Sequence, residues 1–328
     1  MLTREYLVNH KDIAADKAIG SLCGLAIGDS FGDAARGPEN QRDYGITTDF
    51  NKGASWSTDD TEFALLTAKT LIECKGELTS DRVVEMWLKH VATMDELKRG
   101  GASETEASNN LRRGIRPPES GKFNSYSCSD GAAMRCGPIG ILCAGNPERA
   151  KEIAAIDASI SHYRDGIWGA QAVAVAVSLA MVDAEMNEIL DAVLKVAPED
   201  SWFHATLMRV FQIVDDANGD VSLAWMPLHN ELFSTYRAAV PEAVSEAFGV
   251  LKLSHENFRS GVILAGNFGR DADTIGAIVG AILGAKFGAK QIPDAWLQKT
   301  RYPSGTCLSF TKGIDIFDYA QKLAELIK

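Results

Sequence analysis

The sequence predicts an all-α protein, and three observations support this prediction. Apolar residues recur at helical spacing along most of the 328 residues, whereas the strict apolar–polar alternation of a half-buried strand is almost absent. Capping residues (Ser, Thr, Asp) and breakers (Gly, Pro) divide the pattern at helix-like intervals. No low-complexity linker interrupts the chain, and two similar acidic motifs lie near its opposite ends. Residues 1–328 are therefore expected to form a single domain.

The first helical pattern, from Lys11 onward, carries a glycine at every fourth position, and the same spacing returns near the other end of the chain. Glycine inside a helix costs about 1 kcal/mol relative to alanine, so such a stripe indicates that another backbone approaches closely. The two stripes therefore predict two helices packed backbone to backbone. Their members are Gly20, Gly24, Gly28 and Gly32, and Gly276, Gly280, Gly284 and Gly288.

The remaining chain shows further helical patterns, which bring the expected total to about thirteen helices. Residues 37–55 lose the helical period and collect Gly, Pro, Asn and Asp, which predicts a loop. Residues 128–144 are rich in small residues and helix-like around residues 132–134. The other helices are predicted at residues 59–74, from the cap at 80–81, and at 103–113, 147–161, 167–182, 185–196, 201–214, 232–248, 256–264, from 274, at 293–299 and ending at 327.

Composition limits the classes of function. A formal net charge of −11 argues against general binding of nucleic acid or of an anionic membrane surface. The longest uncharged apolar stretch, residues 274–285, is too short to cross a bilayer, and the first residues do not resemble a secretory signal. Six cysteines without a C-x-x-C pair are typical of reduced core residues. We therefore expect a soluble, cytoplasmic protein that acts as a monomer.

Two acidic segments are the strongest candidates for a site. Residues 58–61 (Thr-Asp-Asp-Thr) and 271–274 (Asp-Ala-Asp-Thr) each precede an apolar helix. Either one alone is explained as a helix cap, since Thr and Asp satisfy the free N–H groups of a first turn. Two such starts, each beside a small-residue helix, favour a shared site. Carboxylate and hydroxyl oxygens without His or Cys suit a hard ion, Mg²⁺ or Mn²⁺, and four carboxylates are enough for two ions.

Two other patterns carry less weight. Residues 28–32 (Gly-Asp-Ser-Phe-Gly) match the nucleophile elbow of serine hydrolases, but that motif requires a preceding strand, and here the helical glycine period continues through it. His162 is the one histidine beside a charge-rich break between helices. A core or capping histidine is the simpler interpretation, and a role in the site is the alternative.

Five segments, in order along the chain, resemble the ADP-ribosylglycohydrolase family, including the dinitrogenase reductase-activating glycohydrolases. The similarity spans most of the chain. The N-terminal Gly-Asp helix corresponds to residues 24–32, the metal motif Thr-Asp-Asp-Thr to residues 58–61, and a Gly-Ala-Ala-Met-Arg segment to residues 131–135. A Ser-His pair corresponds to residues 161–162 and the C-terminal Asp-x-Asp-Thr motif to residues 271–274.

The resemblance implies an orthogonal bundle of helices with a binuclear Mg²⁺ or Mn²⁺ centre that holds the ribose diol and positions water for attack at the anomeric carbon. Asp59 and Asp60 would be the catalytic residues, because an oxocarbenium-like transition state requires negative charge and a base for water. The implied metal ligands are Thr58, Asp59, Asp60, Asp271, Asp273 and Thr274. The implied substrate-binding residues are Asp29, Asp130, Gly131, Ala132, Ala133, His162, Gly266, Asn267 and Gly269.

The chain departs from the family pattern at two positions. Many members carry a glutamate seven residues after the aspartate that corresponds to Asp29, and here that position is Arg36. The asparagine of the family is replaced by Asp130. An additional carboxylate at this point would bind a cationic leaving group such as guanidinium, or would repel a diphosphate.

The expected function is hydrolysis of the ribosyl linkage of an ADP-ribosylated substrate, with ADP-ribosyl-arginine on protein as the first choice. Hydrolysis of another small N- or O-ribosyl compound at the same dimetal site is the second. A non-enzymatic alternative is an ADP-ribose-binding protein whose catalysis has lapsed through Arg36. Either an ADP-ribosylated protein or a small ADP-ribosyl compound would be the partner.

Overall fold

A computed structural model describes residues 2–50, 57–254 and 256–328 of the chain. Within these ranges the secondary structure is helical and contains no strand. The helices are α1 (Arg4–Asn9), α2 (Lys11–Ala35), α3 (Pro38–Tyr44), α4 (Asp59–Glu73), α5 (Ser80–His90), α6 (Ala102–Arg112), α7 (Glu119–Lys122), α8 (Gly137–Leu142), α9 (Pro147–Ala158), α10 (Asp165–Ala180), α11 (Met186–Leu194), α12 (Trp202–Asp216), α13 (Val221–Leu232), α14 (Val240–Leu253), α15 (Phe258–Gly266), α16 (Ala272–Phe287), α17 (Asp294–Thr300) and α18 (Ile316–Glu325). The all-α prediction is confirmed.

Helices α2 and α16 cross the centre of the bundle antiparallel and in backbone contact. A Cβ atom added to Gly28 would lie 1.8 Å from the carbonyl oxygen of Gly276, and one added to Gly20 would lie 2.3 Å from that of Gly284. These distances leave no room for any side chain at the contact. The glycine stripes therefore have the packing role that their spacing predicts, and we call this contact the glycine seam.

The seam brings one end of α2 to the start of α16. At that end a Cβ on Gly32 would lie 2.2 Å from the carbonyl oxygen of Ala272, the first residue of α16. Residues that follow α2 are therefore held beside the acidic start of α16. The core around the seam is formed by buried Ala, Val, Leu and Ile side chains from most of the other helices.

Three local predictions were wrong. The loop expected at residues 37–55 contains α3, which begins with Pro38 at a position where proline is favoured; residues 51–56 of that loop lie outside the described residues. Residues 131–135 form turns and not a helix. The helix expected at 232–248 is absent between the end of α13 at Leu232 and the start of α14 at Val240, and Pro241 lies in the first turn of α14.

Two global expectations can be compared with the structure. No helix among the described residues combines the length and the apolar character required to cross a membrane. All six cysteines are free thiols. In the chain as described, the buried interior is built around one continuous cluster of apolar side chains.

Candidate functional site

A cavity of about 500 Å³ opens between the N-terminal ends of α4, α6 and α16. Helix starts present unpaired N–H groups and a partial positive charge, which favours acidic side chains at this place. Two loops between helices complete the wall. The lining residues are Arg36, Thr58, Asp59, Asp60, Arg99, Gly100, Gly101, Ala102, Ser103, Glu104, Ser129, Asp130, Gly131, Met134, Thr235, Tyr236, Arg237, Ala238, Arg270, Asp271, Asp273 and Thr274.

All six residues that the resemblance implies as metal ligands line this cavity. Thr58, Asp59 and Asp60 form one side, which we call the first wall. Asp271, Asp273 and Thr274 form the other, which we call the second wall. The two acidic motifs, although more than two hundred residues apart, therefore meet as the sequence predicts, and the glycine seam is the reason that they can.

Asp29 lies beneath the first wall and does not line the cavity. Its carboxylate accepts hydrogen bonds from the backbone N–H groups of Thr58 (2.9 Å) and Thr61 (3.2 Å) and from their hydroxyl groups (2.7 and 2.5 Å). Burial raises the pKa of Asp29 to about 6, although the four hydrogen bonds favour its charged form. Asp29 thus caps α4 and joins it to α2. These contacts indicate that it positions the first wall.

The first wall has no cationic partner among the described residues. Asp60 is 1% exposed, and its Oδ1 atom has no hydrogen-bond partner. Burial, together with repulsion from Asp29 and Asp273, raises the pKa of Asp60 well above its ordinary value. Burial and repulsion from Glu104 likewise raise the pKa of Asp59 well above its ordinary value. A buried carboxylate without a partner is costly, so this wall favours a cation.

The second wall is paired with two arginines. The guanidinium of Arg36 donates to Asp273 and lies 3.5 Å from Asp271 Oδ1. Arg237 approaches the same Asp271 oxygen to 3.2 Å from the side of the solvent. Burial and repulsion from Asp271 raise the pKa of Asp273 to about 7, even against the opposing effect of Arg36. The two walls are alike in sequence but differ in charge compensation.

Asp130 extends the acidic surface between the walls. It is 4% exposed and its Oδ2 atom has no hydrogen-bond partner. Burial and the neighbouring charge of Asp271 raise the pKa of Asp130 well above its ordinary value. The substitution for the asparagine of the family therefore adds a carboxyl group that faces the cavity.

The fit of these residues to a hard divalent ion differs between the walls. Among the described residues, no group of three or more His, Cys, Asp or Glu side chains is already arranged to ligate an ion. The oxygen donors of the first wall nevertheless suit Mg²⁺ or Mn²⁺, and the unpartnered Oδ1 of Asp60 is a free ligand. At the second wall, Asp271 and Asp273 already form ion pairs with the guanidinium of Arg36.

Glu104 is a site residue that the sequence interpretation missed. It is fully buried, lines the cavity and accepts a hydrogen bond of 2.7 Å from Ser103. A Cβ on Gly131 would lie 2.1 Å from its Oε1 atom, and one on Gly101 would lie 2.3 Å from Oε2 and 3.4 Å from Asp59 Oδ2. Glycine at both positions makes room for this carboxylate beside Asp59. In the sequence it resembled an ordinary acid in the first turn of α6.

Of the predicted substrate-binding segment 130–133, Asp130 and Gly131 line the cavity, whereas Ala132 and Ala133 do not. Both alanines are completely buried. The turn at this segment is held by Arg135, which donates to the carbonyl of Gly131 at 2.8 Å. The side chain of Arg135 also pairs with Asp157 at 2.7 Å, so Arg135 connects the turn to α9.

His162 is 1% exposed and does not line the cavity. Its ring nitrogens lie 2.7 Å from the Ser161 hydroxyl and 2.8 Å from the Ser129 hydroxyl. Burial lowers the pKa of His162 well below its ordinary value, so the ring is neutral. Ser129 does line the cavity and donates to Ser103 at 2.8 Å. These contacts fit the simpler interpretation of a core histidine, one that holds the cavity wall in place.

Gly266, Asn267 and Gly269 also lie outside the cavity lining. A Cβ on Gly266 would lie 2.2 Å from the ring of Phe31, so this glycine serves packing. The side chain of Asn267 accepts from the backbone N–H of Thr47 at 2.9 Å and donates to its carbonyl at 2.8 Å. Gly269 adopts a positive φ of 82° just before α16.

Four arginines surround this acidic cavity, and the sequence interpretation singled out Arg36 alone. Arg99 pairs with Asp33, and Arg270 pairs with Glu242 at 2.5 Å. Arg237 reaches the cavity from the loop before α14, beside Tyr236. They come from separate loops, so no sequence spacing could have grouped them.

Comparison with known proteins identifies the fold and the chemistry. Residues 10–328 match the family model described as ADP-ribosylglycohydrolase. The chain belongs to the ADP-ribosylglycohydrolase family. Membership makes it a glycohydrolase that cleaves ADP-ribosyl linkages, and it confirms the resemblance noted in the five sequence segments.

Individual relatives agree with this assignment. An uncharacterized protein of Archaeoglobus fulgidus is 33% identical over 86% of this chain and 91% of its own length. The ADP-ribosyl-[dinitrogen reductase] glycohydrolase of Rhodospirillum rubrum is 26% identical over 87% of this chain and 90% of its own. The ADP-ribosylarginine hydrolase Tri1 of Pseudomonas putida is 25% identical over 88% of this chain and 75% of its own.

A solved structure supports the fold. A chain of an ADP-ribosylglycohydrolase-related protein complex superimposes with a TM-score of 0.64 over 96% of this chain and 98% of its own, at 21% identity. The predicted fold class, an all-α bundle of the ADP-ribosylglycohydrolase type, is confirmed.

Proposed function

We propose that the protein releases ADP-ribose from ADP-ribosylated arginine on a protein substrate, and that it does so in the cytoplasm. The observation that carries this proposal is a set of carboxyl groups that face one cavity without cationic partners: Asp59, which is partly buried, and Asp60 and Asp130, which are buried. Such a surface suits a substrate that is cationic at the bond to be cleaved. The name of one relative, an ADP-ribosylarginine hydrolase, supports the same choice.

We propose further that the reaction depends on Mg²⁺ or Mn²⁺ bound to the oxygens of the first wall, Thr58, Asp59 and Asp60. The resemblance adds Asp271, Asp273 and Thr274 as ligands, and the two aspartates of that set also contact Arg36. A bound ion of this kind supplies Lewis acidity and lowers the pKa of water. The unpartnered oxygen of Asp60 supports a hard ion, and so does the lack of His and Cys among the described residues that line the cavity. Two ions are the prediction from the sequence, and their number stays a prediction.

The residues of the chain have separate roles in this proposal. The bond between the anomeric carbon and the guanidine nitrogen breaks; water gives its hydroxyl to the carbon and its proton passes to the departing nitrogen. The carboxylates of the first wall stabilise the oxocarbenium-like charge, and Asp59 or Asp60 accepts the proton from water. Glu104 lies next to Asp59, on the other side of Gly101, and is a third candidate base.

The leaving group and the diphosphate would bind at opposite ends of the cavity. An ionised Asp130 would pair with the guanidinium of the substrate, which also favours the charged form of that carboxyl group. Arg99 and Arg237, which are 39% and 53% exposed at the side chain, would meet the diphosphate at the mouth. The family resemblance implies backbone N–H groups of residues 131–133 and 266–269 as well, and of these Gly131 is the one that lines the cavity.

Two alternatives predict different products. Hydrolysis of another small N- or O-ribosyl compound would use the same carboxylates but would not require a cationic leaving group. An ADP-ribose-binding protein without catalysis is favoured by one observation, the contact of Arg36 with Asp271 and Asp273. In that case the cavity would bind ADP-ribose and turn over no substrate.

The test is incubation of the protein with Mg²⁺ or Mn²⁺ and ADP-ribosylated arginine, ADP-ribosylated serine, or ribosyl nucleosides, with chromatographic detection of free ADP-ribose or ribose. Release from arginine, lost in Asp60→Ala and Asp273→Ala, supports the proposal. The control is Asp294→Ala, which removes an exposed acid from the first turn of α17, outside the cavity. Release from the other substrates alone, or binding of ADP-ribose without turnover, favours the respective alternative.

A further inference from the structure

Arg36 follows directly after α2 and points into the acidic cavity. Its guanidinium group contacts Asp273 and lies 3.5 Å from Asp271 Oδ1 and 3.6 Å from Asp33 Oδ1. The side chain is 23% exposed. One cationic group is thus held among three carboxylates.

The position of Arg36 is fixed by the glycine seam. One turn earlier, Gly32 is pressed against the carbonyl of Ala272, where an added Cβ would lie 2.2 Å away. The backbone of residue 36 is therefore held at a fixed position relative to the start of α16. Its backbone N–H also donates to the carbonyl of Gly32 at 3.0 Å. A long side chain from this place reaches Asp271 and Asp273 without any change in the helices.

We propose that the Arg36 guanidinium takes the place of one of the two divalent ions, so that each chain binds a single ion at the first wall. This inference rests on the metal dependence proposed above. It concerns only the number of ions that bind, and it makes no claim about the reaction or its substrate.

The second wall cannot hold both cations. Mg²⁺ binds oxygen at about 2.0–2.1 Å, so an ion shared by Asp271 and Asp273 would occupy the space in which Arg36 now meets both acids. The two groups would also repel each other at contact distance. Since an arginine does not lose its proton in a protein, Arg36 cannot become neutral to admit the ion.

The first wall is open to an ion. No ion pair among the described residues involves Asp59, Asp60 or Asp130, whereas Asp271 and Asp273 are paired with Arg36 and Arg237. Oδ1 of Asp60 and Oδ2 of Asp130 are buried without a hydrogen-bond partner. Asp60 and Asp130 both line the cavity, and neither forms an ion pair with Arg36, so these two oxygens are the free ligands that one ion would use.

The experiment counts ions directly and does not depend on turnover. The purified chain is freed of metal, titrated with Mn²⁺, and measured by calorimetry and electron paramagnetic resonance. Wild type is expected to bind one ion per chain with the spectrum of isolated Mn²⁺. Arg36→Glu, and the neutral Arg36→Gln in case the added acid impairs folding, are expected to bind two. Two Mn²⁺ ions about 3.5–4 Å apart give an exchange-coupled spectrum.

Arg237→Ala is the matched control. It also removes a guanidinium from Asp271, but this side chain is 53% exposed and has no contact with Asp273. It is expected to leave the count at one ion. A gain of the second ion in this variant would show that general loss of positive charge, and not the position of Arg36, decides the number, and would overturn the inference.

Other results would also overturn it. Two coupled ions in the wild type would contradict the inference while leaving the proposed hydrolase intact. One ion in both Arg36 variants would show that something other than Arg36 prevents the second. No bound Mn²⁺ in any variant would remove the metal altogether, and the release assay with ADP-ribosylated arginine then decides separately whether the proposed function survives.

Discussion

The first and second walls have nearly the same local sequence but different electrostatic surroundings. Each places two aspartates and a threonine at the start of a buried helix. Asp60 of the first wall keeps an unpartnered oxygen, whereas Asp271 and Asp273 of the second meet Arg36 and Arg237. A motif therefore specifies which ligands are available. Residues elsewhere in the chain specify whether those ligands are free.

The largest effect is expected from separating the walls at the glycine seam. Gly28→Ala would place a Cβ 1.8 Å from the carbonyl oxygen of Gly276, so α2 and α16 must move apart. We expect the free energy of unfolding to fall by about 3 kcal/mol or more, measured by urea denaturation. Gly37→Ala is the control, because its nearest neighbours would lie at 3.5 Å, and it is expected to change stability by less than about 1 kcal/mol. Equal effects would mean that the seam does not hold the walls together.

The second effect compares the walls directly in metal-free protein. Asp60→Asn removes a buried carboxyl group that has no cationic partner and whose ionised form is disfavoured by burial, so at pH 8 in chelator we expect a gain of about 1–3 kcal/mol in unfolding free energy. Asp273→Asn is expected to gain less, since Arg36 already offsets its charge. Asp294→Asn, at an exposed position, should change little. If Asp273→Asn gained as much as Asp60→Asn, the arginine would not compensate the second wall.

The third effect is the pH dependence of the second wall. The pKa of Asp273 is about 7 in the folded protein, above an unfolded value of about 3.9. Between these values the folded state holds a proton that the unfolded state has lost, so the contribution of Asp273 to stability falls as pH rises and is constant above 7. Urea denaturation of metal-free protein from pH 5 to 8 should show this fall.

Two comparisons test that interpretation. Asp273→Asn should have a smaller decrease in stability over the same pH range, because it carries no titrating group at this position. Mn²⁺ should oppose the decrease, because an ion favours the ionised carboxylates. A slope unchanged in Asp273→Asn would assign the pH dependence to other groups.

The sequence was sufficient for the parts of the site that depend on local pattern. Glycine at every fourth position has a single good explanation, a close backbone contact, and Gly28 and Gly276 confirm it. One acidic start, at α16, belongs to this pair, and the other, at α4, was predicted to meet it there. The all-α class followed from periodicity alone, because no segment alternated as a strand would.

The sequence was not sufficient for contacts between distant loops. Glu104 looked like an acid in the first turn of a helix, and its place in the cavity depends on the space left by Gly101 and Gly131. Arg237 reaches Asp271 from a loop that the sequence had assigned to a continuous helix. These contacts join segments that are distant in the sequence and arise from tertiary packing. The spacing of residues within one segment therefore cannot predict them.

The smallest effect concerns the support of the first wall. The Thr61 hydroxyl donates to Asp29 at 2.5 Å, and Thr61→Val removes that donor at nearly constant volume. We expect a loss of about 1 kcal/mol in unfolding free energy. Thr70→Val is the control on the same helix: its hydroxyl donates within α4 to the carbonyl of Leu66, and this variant should cost less unfolding free energy.

The same substitution also tests the metal site. Asp29 reaches the first wall and not the second, so Mn²⁺ affinity should fall with Thr61→Val. If it did not, the first wall would be held by α4 itself and not by its attachment to α2.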